Sequence, residues 1–69
     1  MLQSQEEVMK IKDALLIQKT INQVEVAERK CRLYVDMAED AATRTSFGVQ
    51  VKVLEKTSKD LRDMLPKFM

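Results

Sequence analysis

Two apolar stripes run through this sequence at helical spacing, and they do not share a register. Phe47, Val51, Leu54, Ser58, Leu61 and Leu65 recur at alternating steps of four and three, the pattern of a helix face packed on another helix. Upstream, Ile17, Ile21, Val24, Ala27, Cys31, Tyr34, Ala38 and Ala41 follow the same steps, but continuing that register lands on Thr45, Gly48 and Lys52. One straight helix cannot hold both stripes on one face. The break predicts an all-α fold, a long helical hairpin in which two antiparallel helices form a coiled coil.

Size then limits what the hairpin can do alone. A 69-residue chain forms one domain and withdraws only about 60% of its unfolded surface from water, so the reading includes completion of the core as a bundle by oligomerisation. One Gly, one Pro and no Trp fit long helices better than a sandwich or a disordered tail. The net charge of +1 creates no field that favours nucleic acid or an anionic membrane. No apolar run approaches the roughly 18 residues of a membrane span, and the polar, acidic start from Met1 to Val8 does not read as a signal peptide. A single Cys cannot close an internal bridge, which predicts a reducing, cytoplasmic setting.

The first helix announces its start. Ser4 followed by Glu7 ahead of Val8 is a capping box, in which the serine oxygen accepts the N–H three residues on. Neither Gly nor Pro interrupts the chain from there to Ala42, which predicts helix 1 over about 4–42. At 100° per residue it carries two apolar sectors. Ile21, Val24, Cys31, Val35, Ala38 and Ala42 lie in the sector assigned to the intrahairpin core, while Val8, Ile11, Leu15, Val26, Leu33 and Met37 gather in another, assigned as a partner interface. Acid-to-base pairs four residues apart, namely Glu6 to Lys10, Glu25 to Arg29, Glu28 to Arg32, Asp40 to Arg44 and Glu55 to Lys59, support helix on the remaining faces.

The reversal is expected at 43–46, with Thr45 or Ser46 capping a second helix over about 47–65 and Gly48 easing the turn. Phe47, Val49, Val51 and Val53 alternate as in a strand, but no mate for such a strand exists in the chain, and helical plotting gathers the apolar residues of 51–65 into one sector. Pro66 disfavours helical geometry at Leu65, so regular structure should fade there and leave a tail over 66–69. The domain is thus 4–65. Folding back on this turn sets Phe47, Val51, Leu54, Leu61 and Leu65, as core, against Ala42, Ala38, Val35, Ala27 and Val24 in that order, large residues meeting small ones. It also brings Glu25 near Arg62 and leaves Val8, Ile11 and Leu15 beyond the end of helix 2. Leu65 and Phe68 read as an extension of the second stripe over Val24 and Ile21.

A search for catalytic chemistry finds no His, no Cys pair and no Gly-rich phosphate loop, so no catalytic residue, metal ligand or cofactor is assigned. Cys31, on the larger apolar sector, reads as a packed small hydrophobe with a slow thiol. Tyr34 reads as an interface aromatic whose hydroxyl reaches the rim. Arg29, Lys30 and Arg32 are interleaved with acids and lack an aromatic platform, which favours a solvated face over a nucleic-acid site. What remains is a non-catalytic interaction or assembly subunit, an adaptor or small chaperone-like module. It self-associates, with a dimer favoured, or packs on a helical partner; a membrane-surface amphipathic element is the alternative.

Overall fold

A computed structural model describes residues 4–68; Met1 to Gln3 of the polar start and Met69 of the expected tail lie outside the described residues. The first helix, α1, spans Gln5–Met37. Its cap is the expected one: Ser4 is extended and its hydroxyl oxygen accepts the Glu7 N–H at 3.1 Å. Glu6 and Glu7 then place negative charge in the first turn, where the helix dipole favours it.

The reversal comes earlier than the sequence suggested. Helix α1 stops at Met37 rather than near Ala42, and the second helix, α2, spans Ala41–Met64. The connection is therefore 38–40, not 43–46. Ala38 turns to extended geometry while its N–H still bonds the Tyr34 carbonyl at 2.9 Å, and Asp40 follows in the same region of backbone space. The reason is the better cap. The Asp40 carboxylate accepts the Thr43 N–H at 2.9 Å and the Thr43 hydroxyl at 3.2 Å, a stronger end to the helix than a neutral hydroxyl supplies. Thr45 spends its own hydroxyl on the Ala41 carbonyl at 3.0 Å, inside the helix it was expected to start. Gly48 is likewise interior to α2, and no described residue takes a positive φ, so the turn needs no glycine.

Two consequences follow for the core. Ala42 falls in the first turn of α2, exposed, and cannot face Phe47 across the seam. Phe47 instead meets Tyr34, ring centroids 5.3 Å apart and planes tilted by 54°, an arrangement worth about 0.5 to 1.5 kcal/mol beyond burial alone. Val51 shares a groove with Val35. Most of each stripe faces inward: Ile17, Ile21, Val24, Ala27 and Cys31 along α1, with Val35 beside them and Ala38 just past its end, are buried or half-buried, as are Phe47, Val51, Leu54, Ser58, Leu61 and Leu65 along α2 and just past it, whereas Tyr34 and Ala41 of the first stripe are exposed. The run from Phe47 to Val53 is helix, since its strand-like alternation has no partner to pair with.

Pro66 ends α2 without loosening the chain. Leu65 keeps helical dihedrals with its N–H on the Arg62 and Leu61 carbonyls, and Leu65–Phe68 tightens into a 3-10 turn that packs against α1. Leu65 and Phe68 are half-buried there, and Ile21 is fully buried. The result is a rod of 59 × 15 × 11 Å with a radius of gyration of 16.7 Å, against about 11 Å for a globule of this length. Every residue from Ser4 to Asp13 is exposed, so the first turns of α1 project past the folded-back chain.

Candidate interaction surfaces

The hairpin is locked by charge on one flank. Arg62 pairs with Glu25, and Arg32 pairs with both Glu55 across the seam and Glu28 one turn back at 3.5 Å. Glu25 and Arg32 are seven residues apart on α1, as Glu55 and Arg62 are on α2. Opposite signs one heptad apart on each helix are satisfied only when the helices run antiparallel in this register; running parallel would set acid on acid and base on base. The expected proximity of Glu25 and Arg62 is thus realised as an ion pair. The four-residue spacing predicts Glu25 with Arg29 and Glu55 with Lys59, and both acids turn across the seam instead. The missed signal was the matched heptad spacing of opposite charges. Glu6 and Lys10 do pair, at 3.8 Å.

The same flank holds a shallow groove lined by Arg32, Asp36, Gly48, Lys52 and Glu55, with Val35 and Val51 at its floor. It exists because Gly48 contributes no side chain. Its rim is neither nucleophilic nor metal-binding, and no cluster of metal-ligating side chains occurs among the described residues.

The back of α1 is a different surface. Val8, Ile11, Leu15, Val26, Leu33 and Met37, the residues assigned to a partner interface, are all exposed, Leu15 to 67%. They lie on the side of α1 turned away from α2. Between and beside them stand Lys12, Lys19, Arg29 and Lys30, with Asp36, one heptad from Arg29, at the edge next to the charged flank. The face is therefore apolar and basic. Gln18 Nε2 donates to Asn22 Oδ1 at 3.2 Å, and beside Asn22 a hollow opens between Lys19, Gln23 and Val26.

Cys31 is half-buried. Of the remaining titratable groups, Asp40 stands out: the hydrogen bond from the Thr43 N–H, helped by the Thr43 hydroxyl, holds its carboxyl below the usual 3.8. That perturbation belongs to the helix cap. No helix among the described residues is long and apolar enough to cross a membrane. Comparison of the chain with protein-family models, curated proteins and solved structures gave no match.

Proposed function

We propose that this chain is a non-catalytic helical assembly subunit that works by offering apolar helix faces to other helices. One observation carries the reading. Among the described residues only Ile21 and Val51 are buried apolar side chains, while twelve large apolar side chains are exposed. Isolated exposed hydrophobes need no explanation, but here they form lines along a helix, and lines of that kind are what a partner helix covers.

The back of α1 suits a helical partner with an apolar stripe and an acidic rim. Val8, Leu15, Val26 and Leu33 supply contact area, and Lys12, Lys19, Arg29 and Lys30 supply charge that steers and selects. The same combination favours a second reading, an anionic membrane surface, since basic amphipathic helices lie in the headgroup layer. The lone Cys supports a reducing, cytoplasmic setting.

The test is mass by light scattering, alone and after incubation with cell lysate, with Leu15→Glu and Leu33→Glu alongside. In the lysate arm, a partner held on the back of α1 and lost on either substitution is the expected result, because a carboxylate in a helix interface must be desolvated. A protein that stays a folded monomer in both arms overturns the proposal. Co-sedimentation with anionic but not neutral liposomes, abolished by the same substitutions, selects the membrane reading.

A further inference from the structure

The flank of the hairpin opposite the ion pairs carries charge only at its outer edges. Helix geometry places Leu16, Thr20, Ala27 and Tyr34 of α1 on it, beside Val53, Thr57 and Met64 of α2. Along the middle of this flank, between Leu16 and Ala38 on one helix and from Ser46 on the other, helix geometry places no Asp, Glu, Lys or Arg; Lys30, beside Ala27 and Tyr34, and Asp60, beside Thr57 and Met64, stand at its outer edges. In a chain that is 33% charged, a two-helix-wide surface with charge only at its edges is a departure from the rest of the molecule.

The polar groups on this flank are already satisfied. Thr20 donates its hydroxyl to the Leu16 carbonyl at 2.9 Å, and Thr57 donates to the Val53 carbonyl at 2.9 Å. Each is thereby relieved of the need for water, so covering the flank strands neither hydroxyl. Leu16, Tyr34, Val53 and Met64 are exposed meanwhile, Leu16 to 53% and Val53 to 50%.

We infer that a second copy of this chain docks on the charge-poor flank and closes a four-helix bundle. The inference rests on the reading of the chain as an assembly subunit and names one partner for it. Three quantities favour a second copy. The chain exposes 5679 Å², about 1,200 Å² more than a compact protein of 8.0 kDa. The flank is about 33 Å long, from the rise of α1 between Leu16 and Ala38, and about 20 Å wide across two helices. It therefore removes about 700 Å² per copy, or about 1,400 Å² in all, within the range of stable dimers. Symmetry also selects this face over the back of α1. A two-fold axis sets a face against itself, which the charge-poor flank permits, whereas the back of α1 would bring Lys12, Lys19, Arg29 and Lys30 against their own copies. Large and small residues interleave along the flank, with Ala27 and Thr57 mid-length, so related copies can interdigitate. The back of α1 stays outward and available.

Sedimentation equilibrium of the full chain tests this, with Leu16→Glu and Val53→Glu on the flank and Leu15→Glu and Leu33→Glu on the back of α1. Leu16 and Val53 are half exposed in the single hairpin, and Glu is at least as good a helix former as Val, so circular dichroism should report intact helices in every variant. The expected result is a wild-type dimer of twice 8.0 kDa, weakened at least ~100-fold by either flank substitution, since each charge enters the interface twice, and unchanged by Leu15→Glu or Leu33→Glu. A dimer broken by the back substitutions and indifferent to the flank ones overturns this docking face while leaving the assembly reading standing. A wild-type monomer at ~100 µM overturns the second copy as occupant, and lysate capture on the back of α1 then decides the assembly reading separately.

Discussion

Replacing Gly48 with Ala is the sharpest test of where this chain turns. The sequence pattern reads Gly48 as part of the reversal, whereas the structure carries α2 straight through it with no positive φ. Those two descriptions predict opposite signs. At a turn that depends on glycine, a Cβ costs stability; inside a helix, Ala outranks Gly by about 0.8 to 1.0 kcal/mol because it loses less backbone entropy on folding. The surroundings decide whether the full gain is realised. A Cβ built on Gly48 meets nothing within 4 Å, so no packing penalty offsets it, and the groove beside Arg32 and Asp36 simply becomes shallower.

With an unfolding entropy of about 2.1 cal/mol/K per residue, a 69-residue chain stabilised by about 1 kcal/mol should gain about 7 °C in Tm. Thermal unfolding by circular dichroism measures this directly, wild type and variant at one concentration, because self-association makes Tm concentration-dependent. Gly48 lies on the charged flank, away from the proposed dimer face, which keeps the comparison clean. A lowered Tm would refute the continuous helix through 43–48 and return the turn to that segment.

The heptad charge pattern predicts that Glu25→Arg alone destabilises the hairpin, and that adding Arg62→Glu restores what the first change lost; urea midpoints should recover a coupling of about 0.2 to 1 kcal/mol that shrinks in high salt, since both side chains are partly exposed, and strictly additive effects would remove the pair from the account of orientation. The Asp40 cap predicts a pH dependence. Its carboxyl is held below the usual 3.8 in the folded chain, so it adds stability above that value and loses it as pH falls through the folded pKa; Asp40→Asn keeps an acceptor but does not titrate there. The stability difference between wild type and Asp40→Asn should therefore shift against the wild type on acidification to about pH 2.5, and parallel pH profiles would contradict the cap as the source.

The two helices were legible because each stripe is a property of its own helix. Ile17, Ile21 and Val24 repeat at helical spacing whatever follows them, and so do Val51, Leu54 and Ser58. Ser4 with Glu7 was legible for a similar reason: the cap is local, and no competing cap lies nearby. The turn was not local in this sense. Asp40, Thr43, Thr45 and Ser46 all belong to types that cap helices, and each was a possible start for α2. Asp40 wins by combining a charged acceptor with two donors from Thr43, and Glu39 and Asp40 end α1 before Ala41 and Ala42 can extend it. Reading Asp40 as half of a pair with Arg44 hid that role, because one carboxylate was assigned to the helix interior when its geometry belongs to the helix end.

The turn lies about five residues before the segment expected from sequence, yet the helix faces are nearly those the sequence predicts. Moving the reversal keeps most of each stripe in the seam, and Glu25 still meets Arg62, but Ala42 leaves the seam and Phe47 meets Tyr34 instead. Axial register was instead written in the side chains that the pattern assigned to single helices. Glu25, Arg32, Glu55 and Arg62 pair across the seam rather than with Arg29 and Lys59 on their own helices. A rule that matches opposite charges at equal heptad spacing between two candidate helices, applied before the four-residue pairing rule, would fix the register from sequence and with it the distribution of charge over every outer face.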